Sequence, residues 1–162
     1  MENKVLSARV DELAAKVNGE VEEILGVPVL KIKGAYALEA LAAAKNFADV
    51  PCDFLHDLAG MDYGTHMEVV YQLSSLRGPQ WLRIKARLDR EKPVIDSATS
   101  LWQGADFMEC EAYDMFGIQF KGHPDLRRIY MWDDFEGYPL RKDYMVEGPE
   151  VRKIMRTRKE GE

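Results

Sequence analysis

Residues 67–88, MEVVYQLSSLRGPQWLRIKARL, decide the fold class of this chain of 162 residues. Apolar and polar side chains alternate along residues 67–74 and again along residues 81–88, which is typical of strands with one buried face. Arg77-Gly78-Pro79-Gln80 separates the two runs, and so short a turn favours an antiparallel connection. Residues 52–61 form a further strand of mixed pattern. The three segments together predict an antiparallel meander.

Two helices and another strand precede the meander. Residues 7–18 repeat apolar side chains at helical spacing, with Ser7 as the expected N-cap. Residues 27–33 alternate as a short strand, and Pro28 places that strand at or near a sheet edge. Residues 35–47 are rich in Ala and Leu and predict a second helix. The whole order predicts a two-layer α+β fold, with helices on one face of a mainly antiparallel or mixed sheet.

A third helix and an irregular segment complete the chain. Apolar residues between positions 105 and 116 gather on one arc of a helix, and Gly117 is suited to end it in the left-handed conformation. Turn formers, aromatic side chains and two basic pairs follow without a period of 3.6 or 2. Such composition is typical of a binding surface. We therefore predict an α+β domain at residues 1–117 and an extended partner-binding tail at residues 118–162.

Composition excludes several classes of protein. The net charge of −6 argues against nucleic acid as a partner, because that affinity depends on many basic contacts to phosphate. No apolar run approaches the roughly 18 residues that cross a bilayer, and the N-terminus lacks signal-peptide features. We expect a soluble, cytosolic chain in which Cys52 and Cys110 are reduced. The basic run at residues 151–159 fits either a solvated end or contact with an acidic partner or anionic lipid.

Acidic side chains on the third helix, with His123, are candidates for the acid–base chemistry of a hydrolase. On a helical wheel, however, these carboxylates spread around the helix and do not converge on one pocket. We therefore favour a structural role, in which Glu109 and Glu111 form charge-assisted pairs with downstream arginines. The candidate arginines are Arg127, Arg128 and Arg141.

Cofactor and metal signals are weak. Two cysteines so far apart do not form an iron–sulfur site, and no glycine-rich phosphate loop is present. Cys52, His56 and His66 lie near one another in sequence, but a strand does not give them the geometry of a zinc site. We expect the Cys110 thiol to be packed and protonated, because acids flank it on the helix.

The outer face of the strand at residues 81–88 combines Trp81 with three basic side chains. It fits a solvated face opposite Glu68 and Gln72 on the neighbouring strand. It also fits a docking surface, because Trp and Arg are enriched in interfaces. Both interpretations stay open from the sequence.

Several motifs run in order, without gaps, through the third helix and the segment behind it. They are Glu109-Cys110-Glu111, Tyr113-Asp114-Met115-Phe116-Gly117-Ile118, Phe120, Gly122-His123-Pro124, Leu126-Arg127-Arg128-Ile129, Gly137 and Pro139-Leu140-Arg141-Lys142-Asp143-Tyr144. This run resembles the C subunit of proton-pumping NADH:quinone oxidoreductase, respiratory complex I. The family pattern has Arg and His where this chain has Cys110 and Tyr138. Related membrane-bound hydrogenase and F420-linked complexes carry a similar subunit and are the alternative.

The resemblance implies a non-catalytic subunit of the peripheral arm, on the cytoplasmic side of the cell membrane, beside the quinone-reducing D subunit and adjacent iron–sulfur subunits. It implies no cofactor in this chain, with NADH, FMN, iron–sulfur clusters and quinone in neighbouring subunits. His123-Pro124 fits the start of a turn, because Pro fixes φ. His123 is also the candidate for a group that titrates near a quinone or proton route. The partner-binding residues that the motifs imply are Glu109, Glu111, Asp114, His123, Pro124, Arg127, Arg128, Gly137, Pro139, Arg141, Lys142 and Asp143.

Overall fold

The computed structural model describes residues 2–144, with side chains from residue 5 onward. The basic run at residues 151–159 lies outside the described residues. The elements in chain order are α1 (Glu2–Val17), β1 (Glu20–Ile24), β2 (Val27–Lys33), a 3-10 turn (Gly34–Tyr36), α2 (Ala37–Lys45), β3 (Phe54–Asp62), β4 (Met67–Ser74), β5 (Trp81–Leu88), β6 (Val94–Asp96), α3 (Ala105–Phe116) and β7 (Gln119–Lys121). Among these described helices, none is both long and apolar enough to span a bilayer.

Most of the strands form one sheet of five, in the order β1-β2-β5-β4-β3, while β6 and β7 form a separate pair. β3, β4 and β5 are antiparallel neighbours, which confirms the predicted meander. β2 joins the other side of β5 in parallel, and β1 pairs antiparallel with β2. The predicted α+β fold with a mixed sheet is therefore confirmed.

One hydrophobic core lies between the large sheet and the helices. On β4 and β5 the buried side chains alternate, as the sequence predicts, and on α1 and α2 they recur at helical spacing. The buried apolar set from these four elements is Leu6, Val10, Leu13, Ala14, Val17, Ala37, Ala40, Leu41, Ala44, Met67, Val69, Tyr71, Leu73, Leu82, Ile84, Ala86 and Leu88. On the outer face, the Arg83 Nε donates to Gln72 Oε1 at 2.9 Å, which fits a basic face satisfied across the ladder.

Three features differ from the sequence-based prediction. α1 begins ahead of Ser7, so that residue lies inside the helix and is not its N-cap. β1 was not predicted because its Glu-rich residues 20–24 are mostly exposed and carry no apolar alternation. Pro28 consequently lies one strand in from the edge. β6 and β7 were missed because three residues each are too few to show a period.

Gly117 ends α3 as predicted, with a φ of 75° and its backbone N–H donating to the Tyr113 carbonyl at 2.8 Å. Core packing continues beyond it. Ile118 and Phe120 are buried in the same hydrophobic cluster, and residues 119–121 pair in parallel with β6. The chain after Gly117 therefore begins as part of the folded body.

Gly117→Ala should lower the free energy of unfolding by about 2 kcal/mol or more, measured by urea denaturation. Alanine is strained at a left-handed φ, and its Cβ would lie 2.5 Å from the Tyr138 ring. Gly104→Ala at the other end of α3 is the matched control, because its φ is −63° and a Cβ there meets nothing within 4 Å. Equal losses in the two variants would contradict this account.

Candidate partner-binding site at the end of helix α3

Asp114, in the last turn of α3, is fully buried. It joins the helix to residues 122–144, which we call the segment. Its Oδ2 accepts hydrogen bonds from the backbone N–H groups of Ile129 at 3.0 Å, Tyr130 at 2.7 Å and Met131 at 2.9 Å. Its Oδ1 accepts from Nη1 of Arg128 at 2.7 Å. One carboxylate thus fixes the backbone of three consecutive residues and one guanidinium.

Arg128 uses its remaining donors within the same segment. Nη1 also donates to the carbonyl oxygen of Asp114 at 3.2 Å, and Nη2 donates to the carbonyl oxygens of Phe135 and Gly137, each at 3.0 Å. The guanidinium carbon lies 5.6 Å from the centre of the Phe135 ring, which adds a cation–π contact. We call Asp114, Arg128 and the backbone of residues 129–131 the α3 clasp.

The charges of the α3 clasp balance each other. Burial by itself would raise the pKa of Asp114, but the hydrogen bonds from Met131, Arg128, Tyr130 and Ile129 outweigh it and hold that pKa below its ordinary value. Removing one partner of a buried pair leaves an uncompensated charge, which typically destabilises a protein by about 3–5 kcal/mol. The α3 clasp is therefore a structural anchor for the segment.

A second anchor forms around Asp62, at the end of β3, whose side chain is 1% exposed. Arg90 binds it through two bonds, Nε to Oδ1 at 3.1 Å and Nη2 to Oδ2 at 3.0 Å. The backbone N–H of Lys142 donates to Oδ2 at 2.9 Å and that of Gly64 to Oδ1 at 2.7 Å. Arg90 Nη2 also lies 3.1 Å from Asp143. The Arg90 hydrogen bonds, first among these, hold the pKa of Asp62 well below its usual range.

This second anchor was not predicted from the sequence. Asp-Tyr-Gly at residues 62–64 is the pattern of a turn in which an Asp side chain binds the backbone two residues on, and that local signal was available. The pairing with Arg90 spans 28 residues and has no local signal.

The segment also covers the C-terminal end of α3. The Arg141 Nε donates to the carbonyl oxygen of Phe116 at 2.6 Å, and the Leu140 N–H donates to that of Met115 at 3.1 Å. The last carbonyls of a helix have no partner inside it. Arg141 and the Leu140 backbone supply those partners, so the helix end and the segment stabilise each other.

Gly137 and Pro139 shape the bend that allows these contacts. Gly137 has a φ of +88°, and a Cβ there would lie 2.9 Å from the Tyr144 ring. Pro139 is half-buried between Tyr138 and Leu140. The Tyr138 ring lies 5.1 Å from the Arg141 guanidinium carbon, measured to the ring centre. Gly137 and Pro139 therefore determine the direction of the backbone at this bend.

The predicted pairing of Glu109 with an arginine is wrong. Glu109 is fully buried, and its carboxylate accepts from the Ser97 hydroxyl at 2.7 Å and the Ala98 N–H at 2.6 Å. Burial raises the pKa of Glu109. Glu111 is exposed and accepts from the Tyr130 hydroxyl at 3.4 Å, so the predicted pairing with an arginine is wrong for it too. Helical periodicity could not tell which acid on α3 binds the arginine.

His123 lies with its side chain fully buried beside α3. Its Nδ1 accepts from the Asp125 N–H at 3.1 Å, which leaves the proton on Nε2 to donate to the Asp106 carbonyl at 3.1 Å. Pro124 is exposed in the turn between His123 and Asp125. Cys110 packs against this turn, and burial raises the pKa of its thiol. The prediction that Cys110 is packed is confirmed.

The other histidines do not join Cys52. The His56 Nε2 lies 2.7 Å from the Ser74 hydroxyl, while the His66 Nε2 lies 3.3 Å from the Glu68 carboxylate. Cys52 is buried, and burial raises the pKa of its thiol to about 12. These three side chains therefore have separate structural roles.

Part of the segment faces outward. Arg127 pairs at the surface with Asp125, and the side chain of Lys142 is exposed. Three large apolar side chains are more than half exposed, namely Tyr130 (62%), Trp132 (58%) and Leu140 (55%). We call Arg127, Lys142 and these three residues the outward surface. Exposed aromatic and cationic side chains of this kind are typical of protein–protein contacts.

A buried carboxylate thus ties an irregular, aromatic-rich segment to an α+β body, and the segment carries exposed aromatic and cationic side chains. A family model described as the 30 kDa subunit of respiratory-chain NADH dehydrogenase matches residues 30–150, and the chain belongs to this family. It is 41% identical over 152 residues to the C subunit of the NADH-quinone oxidoreductase of Citrifermentans bemidjiense, covering 92% of this chain and 93% of the relative.

Other relatives extend this comparison. A protein of Phocaeicola vulgatus, named as the C/D subunit of NADH-quinone oxidoreductase, is 48% identical over 94 residues, which are 57% of this chain and 18% of the relative. A solved trypsin-resistant fragment, 1–134, of Nqo5 is 30% identical with a TM-score of 0.61, covering 75% of this chain and 98% of the fragment. A chain of a membrane-bound sulfane sulfur reductase, an archaeal respiratory membrane complex, shares the fold at 20% identity with a TM-score of 0.76, covering 93% of this chain and 91% of that chain.

Asp114→Ala should lower the free energy of unfolding by about 3–5 kcal/mol, because Arg128 would stay partly buried without its counter-charge. Urea denaturation followed by circular dichroism measures the change. Glu111→Ala on the exposed side of the same helix is the control, and it should change stability by less than about 0.5 kcal/mol. Similar effects of the two variants would show that the α3 clasp does not anchor the segment.

Asp62→Asn should destabilise the protein by about 1–3 kcal/mol at pH 7, and this deficit should shrink in acid. The folded-state pKa of Asp62 is depressed, so its contribution is present above the unfolded pKa of about 3.9 and is lost as the pH falls through the folded value. Urea midpoints between pH 7 and pH 2 measure the deficit, with the exposed Asp133→Asn as control. A deficit that stayed constant with pH would contradict an ionic role.

Proposed function

We propose that this chain is a non-catalytic subunit of an NADH–quinone oxidoreductase that couples electron transfer to proton translocation. Membership of the 30 kDa subunit family supports the proposal. The observation that carries it is the α3 clasp. It uses Asp114 and Arg128 to hold residues 122–144 against α3, and it leaves aromatic and cationic side chains exposed for another chain.

The motif residues divide into two groups by their contacts. Asp114, Arg128 and Arg141 bind within this chain, so their role in assembly is to present the segment. Arg127 and Lys142 belong to the outward surface and are the charged groups we assign to direct contact. Large aromatic anchors beside arginine are the side chains that contribute most to binding when they become fully desolvated.

The first partner that we propose is the quinone-reducing D subunit. The relative named as a C/D subunit supports this choice, because two domains in one chain are held at high effective concentration and need to lie close together. We propose that adjacent iron–sulfur subunits bind the remainder of the tail.

The carboxylates of α3 favour this role over that of a hydrolase. Glu109 binds residues 97–98, Asp114 binds residues 128–131, and Glu111 is exposed. Asp106, the fourth acid on α3, and Glu109 do approach His123, at 3.2 and 3.9 Å. The His123 side chain is fully buried, however, so a substrate has no access to it. We propose that NADH, FMN, the iron–sulfur clusters and quinone bind to neighbouring subunits, and that this chain is peripheral, on the cytoplasmic side of the membrane.

The division into a body and a partner-binding tail is part of the proposal. Because Ile118 and Phe120 pack in the core and residues 119–121 pair with β6, we place the start of the tail after β7 and not at residue 118. The solved Nqo5 fragment, described as trypsin-resistant, supports a protease-resistant body in that relative. The composition of the tail predicts that it becomes ordered only on assembly. Residues 122–144, however, bind their own body through the α3 clasp and Asp62, so we propose that these residues are held in place before partners bind.

The alternative is the equivalent subunit of a membrane-bound hydrogenase or F420-linked complex. In this alternative the chain has other partners, while the contacts within the chain are the same. Neighbouring genes distinguish the two cases: an NADH-binding flavoprotein favours NADH–quinone oxidoreductase, whereas a nickel-binding large subunit favours hydrogenase.

The double variant Arg127→Ala/Trp132→Ala should reduce the recovery of the quinone-reducing subunit at least about tenfold, which corresponds to about 1.4 kcal/mol. Both side chains are at the surface, so the melting temperature of the chain should stay unchanged. The measurement is mass spectrometry of proteins that copurify with the tagged chain after mild detergent extraction of membranes.

Leu25→Ala is the matched control, because Leu25 is 99% exposed in the turn between β1 and β2, at the sheet edge opposite β3. Its recovery of the quinone-reducing subunit should match that of the unchanged chain. Unchanged recovery in the double variant would refute the outward surface as the contact. Recovery of a nickel-binding large subunit in its place would select the hydrogenase alternative.

A further inference from the structure

Three side chains of different chemistry meet beside the middle of α3. Asp106 and Cys110 lie one helical turn apart and face the same side, and His123 reaches them from the turn after β7. The His123 Nε2 lies 3.2 Å from Asp106 Oδ1 and 3.9 Å from Cys110 Sγ. Cys110 Sγ lies 4.0 Å from Asp106 Oδ1. One nitrogen, one sulfur and one oxygen thus lie within 4.8 Å of one another.

These separations suit a tetrahedral metal ion. With Zn–N and Zn–O bonds of about 2.0–2.2 Å and a Zn–S bond of about 2.3 Å, ligand atoms around zinc lie about 3.3–3.6 Å apart. The three distances between the side chains, 3.2, 3.9 and 4.0 Å, depart from this range by less than about half an ångström. Small side-chain rotations would bring all three atoms onto one ion.

The charges around the three side chains favour a cation. The Glu109 Oε2 lies 3.9 Å from the His123 Nε2, and Glu109 is fully buried, so a second carboxylate lies next to the imidazole. The Asp106 side chain is 40% exposed, which gives an ion a route from solvent. A set of thiolate, imidazole and carboxylate selects a borderline ion such as Zn²⁺ over Mg²⁺ or Ca²⁺, which prefer oxygen ligands.

We propose that Asp106, Cys110 and His123 form a zinc site, with water from solvent as the fourth ligand, that fastens the start of the tail to α3. Glu109 supplies negative charge next to the imidazole and stays bound to Ser97 and Ala98. Such an ion would act as structure, because it joins the helix to the turn at residues 122–125. This proposal does not depend on which complex the chain belongs to.

Binding requires a defined proton rearrangement. The Cys110 thiol releases its proton to solvent and binds as the thiolate. The His123 proton passes through solvent from Nε2, which becomes the ligand, to Nδ1. The bond from Nε2 to the Asp106 carbonyl, the bond from the Asp125 N–H to Nδ1 and the Cys110 contact with the Asp125 carbonyl at 3.6 Å are lost. The Nδ1–H and the Asp125 N–H then donate to water.

Cobalt(II) is the probe, since it occupies zinc sites and gives an intense thiolate-to-cobalt charge-transfer absorption. The full-length chain, with any histidine tag removed, is titrated with cobalt(II), and zinc is then added as a competitor. We expect one cobalt(II) per chain, the charge-transfer band, and loss of that band when zinc is added. Absence of the band in the unchanged chain would overturn the proposal.

Variants assign the ligands. Cys110→Ser should abolish the band, and Asp106→Asn should weaken cobalt(II) binding at least about tenfold, or about 1.4 kcal/mol. Cys52→Ser and Asp125→Asn are the matched controls and should bind as the unchanged chain does. A band that persists in Cys110→Ser, or unchanged affinity in Asp106→Asn, would overturn the assignment. Asp106 is partly exposed, so its variant tests the site even if Cys110→Ser does not fold.

Discussion

The buried carboxylate of Asp114 is the constraint on which the segment after β7 depends. A charge with no access to water is stable only if hydrogen bonds replace its hydration. Arg128 and three backbone N–H groups do so, and in doing so they fix an irregular stretch that has no periodic structure of its own. Order in this stretch is therefore a consequence of electrostatics on α3 and not of an independent core.

The sequence predicted the main sheet and helices well, but it did not predict the short strands and the contacts that connect these elements. The meander of β3, β4 and β5 and the left-handed end of α3 at Gly117 follow from period-2 alternation and from glycine's freedom at positive φ. β1 was missed, since an edge strand rich in exposed glutamate carries no such alternation. Core packing past Gly117, at Ile118 and Phe120, was missed because two apolar residues show no period.

The candidate site was located correctly by its motifs but not in its internal pairings. Among the acids of α3, Asp114 binds an arginine, whereas Glu109 and Glu111 do not. Helical spacing could not predict this, because the pairing depends on where residues 128–131 pack against the helix. The pairing of Asp62 with Arg90 was not predicted for the same reason. Residues that share a motif therefore differ in kind: some hold the segment in shape, and others are presented by it.

The charged edge strand β1 affects how the chain behaves before it meets its partners. Strands at the end of a sheet invite pairing with other polypeptides, and like charges along them discourage it. Glu20, Glu22 and Glu23 lie on this strand, with Glu22 bound to Lys31 of β2 at 2.6 Å. Surplus copies that meet edge to edge would repel each other, so newly synthesised chains could accumulate without forming aggregates through this edge.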